Sequence, residues 1–282
     1  MHALPTLVAL VAALLLTAPI LRHLRAEGFT RENYRGARLP FPGGIAIVAA
    51  GVLAVGASSA LAKLADADAF DSGVMIVFDY AVGVALLGLI DDLLAGSSRG
   101  WRGHGRAVLG GAFSTGALKA VGSLALALLV VPAWSGKGEY LLGVALVVLT
   151  TNLFNLLDLR PGRSVKAFAL LGIGLALGAW HGHHFWDTIP LWAVGPFAAP
   201  ALVVGFFDLR ERTMLGDVGS NLIGGLAAVW LVLALDTTGQ LIALAIVLAI
   251  TIYGEFRSLN TLIERTPLLR QIDSLGRNDA HA

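Results

Sequence analysis

The sequence contains no cysteine, and this absence limits the chemistry that the chain can perform. Without thiols there is no disulfide framework, no zinc–thiolate site and no cysteine nucleophile. Charge is scarce as well: 14% of the 282 residues are charged, against about 25% in soluble globular domains. Apolar residues are abundant, at 56%, and the mean hydropathy is +0.77. This composition is typical of an integral membrane protein.

Nine apolar runs are separated by charged or turn-rich stretches, and roughly 20 apolar residues cross a bilayer. We predict membrane helices over 3–21, 42–62, 73–90, 118–135, 141–157, 167–180, 189–207, 217–235 and 240–256. Several runs are rich in glycine and alanine, which lets helices approach closely inside a membrane. The predicted fold class is therefore all-α, a polytopic transmembrane helical bundle of about nine spans that covers residues 1–256.

The remaining residues, 257–282, are predicted to form a cytoplasmic amphipathic tail. Thr266 and Pro267 make a good helix start and Gly276 a good stop. Between them, apolar residues recur at helical spacing, which is typical of a helix that lies on a membrane surface. These residues are Leu268, Leu269, Ile272 and Leu275.

The distribution of positive charge predicts the orientation. All of the 20 Lys and Arg residues except Lys63 and Lys137 fall in alternate loops or in the tail. Because cytoplasmic loops carry an excess of Lys and Arg, these loops and the C-terminus are predicted to be cytoplasmic. The N-terminus is then outside, and the first helix is retained, since Arg22 and Arg25 follow it and no Lys or Arg precedes it. We predict a multi-pass protein of the cytoplasmic membrane with its site facing the cytoplasm.

Acidic residues collect at predicted cytoplasmic helix ends. Asp91 and Asp92 close the third helix, and Asp217 opens the eighth. Carboxylates at a bilayer boundary are costly unless a cation meets them. These three come from two helices at the same depth, so they can converge on one ion, and Mg²⁺ prefers a few carboxylates with water and phosphate oxygens. Such an ion would bridge a diphosphate and neutralise charge during phosphoryl transfer.

Polar residues also line the end of the fifth helix. Asn152, Asn155 and Asp158 follow a spacing of three residues and so lie on one stripe, which faces a cavity or a partner. Around Asp217, Gly216 and Gly219 permit close approach, and free N–H groups at a helix start attract anions. The loop after the third helix is basic, which suits an anionic substrate. Its arginines are Arg99, Arg102 and Arg106.

In this order, the motifs resemble those of the polyprenyl-phosphate N-acetylhexosamine-1-phosphate transferases. That superfamily includes phospho-MurNAc-pentapeptide translocase and the UDP-GlcNAc:undecaprenyl-phosphate GlcNAc-1-phosphate transferases. The resemblance rests on five segments along most of the chain: the Pro- and Gly-containing entry to helix two at 39–44, the double aspartate at 88–92, the lysine at 119, the Asn-x-x-Asn-x-x-Asp run at 152–158 and the Gly-Asp segment at 214–219.

The resemblance implies an enzyme that transfers a sugar-1-phosphate from a nucleotide sugar, UDP-linked in the family, to polyprenyl phosphate. The cofactor would be Mg²⁺, with Mn²⁺ as an alternative, and UMP would be released. The implied partners are the nucleotide sugar, the polyprenyl phosphate and the membrane, without nucleic acid, and with a homodimer as an option. The pathway would be synthesis of a cell-wall or other cell-envelope polysaccharide.

The resemblance also implies roles for single residues. Asp91 would attack or would deprotonate the lipid phosphate, Asp92 would support the site, and Asp217 would be the principal Mg²⁺ ligand, with Asp92 as a second. Lys119 would contact the phosphates, and Asn155 and Asp158 the nucleotide. Beyond what the resemblance implies, we predict that substrate is also bound by Asn152, Arg160, Arg163 and Arg38.

The chain departs from the family pattern at three places. Pro161 stands where a second Asp is expected, so that Arg160 and Arg163 lie where the family is acidic. The aromatic residue expected shortly before Asp217 is absent. The histidine-rich C-terminal loop is replaced by residues 264–273, and one helix fewer is predicted than in the family. These departures place the chain in a divergent branch, whose donor need not be a UDP-amino sugar.

Other interpretations remain open from the sequence. The carboxylates can be structural charges that arginines compensate, and Asn152 can hold helices together. A transporter or lipid flippase would use Asp79, in the middle of helix three. A catalytically inactive relative that binds lipid phosphate would explain Pro161 and the missing histidine loop. Three histidines, His181, His183 and His184, have the spacing of metal ligands but lie on the outer side, away from every motif, and are predicted to be solvated.

Overall fold

The computed structural model describes residues 3–66, 72–94, 114–132, 136–181 and 191–277. Within this part the protein is mostly helical. The long helices are α1 (Leu4–Ala26), α2 (Ile45–Leu64), α3 (Ser72–Leu94), α4 (Thr115–Val130), α5 (Lys137–Leu157), α6 (Arg163–His181), α7 (Leu191–Leu209), α8 (Gly216–Ala234) and α9 (Thr237–Phe256). Two short helices follow, α10 (Leu259–Arg265) and α11 (Pro267–Ser274).

Each of the nine predicted apolar runs coincides with one of the long helices. Seven of the helices are long and apolar enough to cross a membrane. Of the other two, α4 has 16 residues, and α6 carries Arg163 and Lys166 in its first turn. The prediction of a multi-pass membrane helical protein is confirmed at this level, while the count of nine spans and the orientation stay predictions.

The described residues include a small departure from an all-α fold. Strand β1 (Thr30–Glu32) pairs antiparallel with β2 (Arg38–Pro40), and Arg31 lies opposite Leu39. This hairpin lies between α1 and α2. The chain then pairs with the segment before α8: Gly43 N–H donates to the Met214 carbonyl (2.8 Å) and Gly44 N–H to the Leu215 carbonyl (2.9 Å). The hairpin is therefore fastened to the start of α8.

The core of the bundle is built around α8. Of its most apolar stretch, 78% of the residues are buried, whereas only 11% are buried in the corresponding stretch of α9. Helix α8 packs on α3 and α5, and α1 packs on α2 and α7. A helix that is apolar all round can be buried on every side. Small residues bring the neighbours close, since Gly224 lies against Thr151 and Gly225 against Tyr80.

The tail folds back over the loop between α5 and α6. Helix α11 begins at Pro267 and ends at Ser274, as the Thr266–Pro267 pair and Gly276 predict, and Gly276 has a φ of 72°. The Thr266 hydroxyl does not cap α11; it donates to the Leu262 carbonyl at 2.9 Å. The polar side of the tail meets residues 160–166, as described below. Its apolar residues Leu268, Leu269 and Leu275 are exposed.

Candidate active site

Four predicted site residues meet where α3, α4, α5 and α8 come together. We name Asp91, Lys119, Asn155 and Asp217 the carboxylate–lysine cluster. The Lys119 ammonium lies between two carboxylates: it donates to Asp91 Oδ2 at 3.1 Å and to Asp217 Oδ2 at 2.5 Å. Neither of these acids stands alone, because each has the same cation as a neighbour.

Asn155 completes the cluster from α5. Its amide satisfies all of its neighbours when the nitrogen donates to Asp217 Oδ1 (3.0 Å) and Ser220 Oγ (2.9 Å), and the oxygen accepts from Lys119 Nζ (3.0 Å). In this orientation Asn155 holds both the Asp217 carboxylate and the Lys119 ammonium in place. The i, i+3 stripe on α5 predicted that this side chain faces a cavity or a partner, and in the structure it contacts Asp217 and Ser220 at the start of α8.

Close helix packing holds the cluster together. Gly88 of α3 lies against the backbone of Asp217, and a Cβ at this position would collide with the Asp217 carbonyl oxygen. Gly44 lies in the same way against the backbone of Gly219. On the third side, the hydroxyl of Ser114 caps α4 by accepting from Ala117 N–H at 3.2 Å, five residues before Lys119. The glycines of the predicted motifs thus serve close approach.

Asp92 faces the N-terminus of α8. Its Oδ1 accepts from Asp217 N–H and its Oδ2 from Val218 N–H, both at 3.1 Å. The free N–H groups and the partial positive charge at a helix start stabilise a buried carboxylate. Asp92 therefore positions the segment that carries Asp217. Its predicted role as a second Mg²⁺ ligand stays a prediction, since both oxygens accept backbone hydrogen bonds here.

Arg31 joins this arrangement from the hairpin, and the sequence did not single it out. Its Nη2 donates to the backbone carbonyl of Asp92 at 3.1 Å, its Nη1 lies 3.9 Å from Asp92 Oδ1, and its guanidinium lies 3.7 Å above the ring centre of Phe41. Arg38, which was predicted to bind substrate, is exposed and lies 3.6 Å from Glu32 on the same hairpin. Arg31 reaches the site from this loop, and no local pattern distinguishes it from the other arginines there.

A second group of polar residues lies beside the cluster, around Asp158. A cavity of about 40 Å³ is lined by Asn33, Tyr34, Asp158, Leu159, Arg160, Pro161, Asp208, Met214 and Leu215. Ser164 Oγ donates to Asp158 Oδ1 at 3.2 Å. Burial raises the pKa of Asp158 well above its ordinary value, and the charge of nearby Asp208 adds to this, while the bond from Ser164 opposes it.

Asp208, at the end of α7, is a buried residue that the sequence did not single out. Its Oδ2 accepts from Gly162 N–H at 2.6 Å and so fixes the loop after α5. The stretch around it is apolar on one side and basic on the other, and a single Asp there carries no motif. Long-range pairing, in this case across 46 residues, is what defines its role.

The two arginines after Asp158 contact residues outside the carboxylate–lysine cluster. Arg160 lies 4.2 Å above the ring centre of Tyr34 and 3.6 Å from Glu264 of the tail. Arg163 is buried, and its Nε and Nη2 donate to the two carboxylate oxygens of Asp273 at 2.7 and 3.0 Å. Arg163 was predicted to bind substrate; the structure places its guanidinium against the tail.

Further bonds join the tail to the same loop. Lys166 Nζ donates to the carbonyls of Ile272 (3.1 Å), Asp273 (2.5 Å) and Leu275 (3.1 Å). Arg277 donates to Asp273 Oδ1 at 2.7 Å and to the Pro161 carbonyl at 3.2 Å. We name Arg163, Lys166, Asp273 and Arg277 the tail cluster. The ionised partners Arg163 and Arg277 outweigh the effect of burial and hold the pKa of Asp273 below its ordinary value.

A larger cavity, of about 160 Å³, lies between α4, α5 and α8. It is lined by Gly116, Lys119, Ala120, Ser123, Val148, Leu149, Thr151, Asn152 and Asn221. Asn152, a predicted substrate-binding residue, is exposed and lines this cavity. Asn221 is buried, and its Nδ2 has no hydrogen-bond partner among the described residues. Lys119 thus has two roles: its ammonium contacts the two carboxylates, and its side chain forms part of the wall of this cavity.

The donor chemistry of the cluster fits a magnesium ion. Asp91 and Asp217 offer carboxylate oxygens from two helices, and Asn155 offers an amide group beside them. Mg²⁺ is usually bound by one or two carboxylates, with water and substrate phosphates completing the shell. The described residues contain no group of three acidic or histidine side chains close enough to hold a metal on their own. The fit is thus that of an ion bound together with phosphate.

Several predictions fall on residues outside the described ranges. These are Arg99, Arg102 and Arg106 of the basic loop, and His183 and His184. No protein-family model and no curated protein matches the chain.

Proposed function

We propose that the protein is a membrane phosphotransferase that moves a sugar-1-phosphate from a nucleotide sugar to a polyprenyl phosphate at the cytoplasmic face. The observation that carries the proposal is the convergence of Asp91, Lys119, Asn155 and Asp217 from four helices. These are the residues that the family resemblance selects from the sequence. A UDP sugar is the donor class that the resemblance favours.

The charge of the cluster suits a reaction between two anions. Asp91 and Asp217 together outnumber Lys119, so a divalent cation can be accommodated beside the ammonium. Mg²⁺, when bound there, supplies neutralisation of the negative charge on the diphosphate. The Lys119 ammonium would serve the phosphate oxygens in the same way. Asn155 and Asp92 would hold Asp217 in place through the side-chain and backbone hydrogen bonds that they make to it.

In the proposed reaction, an oxygen of the lipid phosphate attacks the sugar-linked phosphorus of the donor. A phosphorus–oxygen bond forms there, and the bond to the bridging oxygen breaks. That oxygen leaves with its electron pair as part of the nucleoside monophosphate, and the sugar stays on the new lipid diphosphate. If the lipid phosphate carries a proton, Asp91 accepts it before the attack and then passes it to solvent or to the leaving phosphate.

The acceptor would reach the cluster through the larger cavity. Gly116 and Ala120 of α4 and Val148 and Leu149 of α5 give this cavity small and apolar walls. Lys119 lies in the same wall and also contacts both carboxylates, so a lipid phosphate bound there would be next to the cluster. The apolar walls suit the hydrocarbon chain of a lipid.

The proposed topology has nine spans, with the N-terminus outside and the C-terminus in the cytoplasm. Its support is the charge distribution of the loops together with the seven apolar helices. A transporter is less well supported. Asp79, on which that interpretation rests, is exposed on α3 and lies away from the cluster residues described above.

The test is a transfer assay with the purified, detergent-solubilised protein. Radiolabelled nucleotide sugars are incubated with undecaprenyl phosphate and Mg²⁺, and label in the lipid extract is measured. We expect label in the lipid that disappears with EDTA and in the Asp217→Ala variant. Full activity of Asp217→Ala, at normal expression, would contradict the role of this carboxylate. No label from any nucleotide sugar with the wild-type protein would contradict the proposed function.

A further inference from the structure

The loop between α5 and α6 has two faces, and the tail covers one of them. Toward the hairpin, Asp158, Arg160 and Pro161 line the cavity of about 40 Å³. Toward the tail, Pro161 and Arg163 bond to Arg277 and Asp273. The same short segment therefore forms a wall of the cavity and the docking surface of the tail.

Consecutive residues of this loop are each held in place. The Pro161 carbonyl accepts from Arg277, Gly162 N–H donates to Asp208, and the Ser164 hydroxyl lies within bonding distance of both the Phe154 carbonyl (3.1 Å) and Asp158 Oδ1 (3.2 Å). Between Gly162 and Ser164 comes Arg163, whose guanidinium also donates to Asn260 of α10. Asp158 thus receives its hydrogen bond from the residue next to the one that the tail binds.

The bond between the tail and the loop is strong for a surface element. The side chain of Arg163 is 5% exposed and that of Asp273 is 12% exposed, and the two are joined by two parallel hydrogen bonds. Bidentate arginine–carboxylate pairs fix orientation as well as distance. By contrast, Arg160 and Glu264 lie 3.6 Å apart and Glu264 is 60% exposed, so this pair contributes little.

We propose that the tail positions the donor-binding loop, with Asp273 acting through Arg163 and Ser164 on Asp158. This rests on the proposed function and on the resemblance, which implies that Asp158 contacts the nucleotide, so that the nucleoside part of the donor is assigned to the cavity beside Asp158. The tail is then a built-in part of the donor site and has no role in binding the lipid.

The cavity beside Asp158 is small, and its size explains why the tail must support the loop. A water molecule needs about 10–15 Å³ of such a cavity, so about 40 Å³ has room for roughly three waters, and a nucleoside bound there needs more room than this. Arg160 is the side chain that can move, because it is held by stacking on Tyr34 and by the weak contact with Glu264. When Arg160 moves, the backbone of 160–164 must stay in place if Asp158 is to keep its position. The tail cluster supplies that support.

The experiment measures steady-state kinetics of the full-length protein with UDP-N-acetylglucosamine and undecaprenyl phosphate. We expect Asp273→Asn to raise the KM for the nucleotide sugar about 10–100-fold, as loss of a positioning partner does. The KM for undecaprenyl phosphate should stay unchanged. Asp273→Glu, which keeps the charge, should restore much of the loss. Glu255→Gln is the matched control, because this acid is exposed at the end of α9 and no hydrogen bond or ion pair joins it to the described residues.

Hydrogen exchange of the same variants separates positioning from a general loss of structure. In Asp273→Asn, amides of 160–166 should exchange faster while those of α8 are unchanged. An unchanged KM for the nucleotide sugar despite faster exchange in the loop would overturn the inference, and so would an equal rise in both KM values. If the wild-type protein shows no transfer with any nucleotide sugar, the proposed function fails and this inference fails with it.

Discussion

Two charged clusters lie near the same ends of the helices, and they differ in the sign of their excess charge. In the carboxylate–lysine cluster, Asp91 and Asp217 share the single ammonium of Lys119. In the tail cluster, one carboxylate, Asp273, pairs with the two guanidinium groups of Arg163 and Arg277, and Lys166 bonds to three backbone carbonyls.

The surplus positive charge of the tail cluster is therefore taken up by the protein itself. Carbonyl oxygens at a helix C-terminus are good partners for a lysine, and α11 ends at Ser274, within the segment that Lys166 contacts. In the carboxylate–lysine cluster, Lys119 is the one cation between the two acids, so one negative charge is left over. The comparison suggests that the first cluster is arranged to accept a further cation with an anionic substrate, and that the second is arranged to hold a fold.

The largest effect should follow removal of the shared ammonium. We expect Lys119→Gln to lower transferase activity about 10²–10³-fold, the loss typical when a charged group that stabilises a transition state is removed. Lys137→Gln is the matched control, because Lys137 begins α5 at the opposite end of that helix. Initial rates of labelled transfer measure the effect. Equal activity of the two variants would mean that Lys119 has only a structural role.

Breaking the tail cluster should lower the stability of the protein. Breaking a buried ion pair by removing one partner costs about 3 kcal/mol, so we expect Arg163→Ala to lower the thermal unfolding temperature in detergent. Arg265→Ala, at an exposed position in α10, is the control. If both variants unfold at the temperature of the wild type, the pair between Arg163 and Asp273 contributes nothing measurable to the fold.

Helix spacing beneath the carboxylate–lysine cluster gives an intermediate effect. We expect Gly88→Ala to destabilise the protein by about 2 kcal/mol, because the added methyl group meets the Asp217 carbonyl and forces α3 and α8 apart. Gly174→Ala in α6 adds the same group where nothing lies within 4 Å. Thermal unfolding of both variants, with transfer rates alongside, measures the difference. A Gly88→Ala variant as stable and active as Gly174→Ala would show that the close contact is not needed.

The smallest effect concerns pH. Because Arg163 and Arg277 hold the pKa of Asp273 below its ordinary value of 3.8, its ion pairs contribute fully above that value. Their contribution is lost as the pH falls through the lowered pKa, so the tail should stay docked between about pH 7 and about pH 5 and separate below 3.8.

The absence of cysteine makes this prediction directly measurable. Spin labels at Leu159→Cys and Gln271→Cys report the distance between the loop and the tail, since both positions are exposed and no native thiol competes. The same pair of labels in the Asp273→Asn background is the control, and there the distance should already be broadly distributed near neutral pH. A separation that begins between about pH 7 and about pH 5 would contradict the assignment.

The fold followed from the sequence where the signal was local. Each apolar run became a helix because length and composition alone decide where a membrane helix can form. The β-hairpin was missed, because Thr30–Glu32 and Arg38–Pro40 are too short to show alternation. The packing of α8 at the centre was also not predicted, although its glycines and its uniform apolarity are consistent with it.

The site was predicted where residues stand at helix ends and was missed where they depend on distant pairing. Asp91 and Asp217 meet, as their shared depth predicted, and Lys119 lies between them. Arg31 and Asp208 act across 61 and 46 residues, and neither lies in a motif. Arg163 looked like a substrate ligand because it follows Asp158, but its partner, Asp273, is 110 residues away. Composition and spacing cannot report such contacts.

In the proposed function, Asp91 and its neighbours transfer a phosphoryl-linked sugar to a lipid phosphate. The most direct measurement is release of nucleoside monophosphate by the purified protein, with Mg²⁺, undecaprenyl phosphate and a panel of nucleotide sugars. Asp91→Asn is tested alongside, with Asp79→Asn, an exposed acid of the same helix, as control. We expect release of the nucleoside monophosphate that needs the metal, the lipid phosphate and Asp91, and that is unaffected by Asp79→Asn. The proposed function would be contradicted if release continued in Asp91→Asn, or if the folded wild-type protein released no nucleoside monophosphate with any donor of the panel.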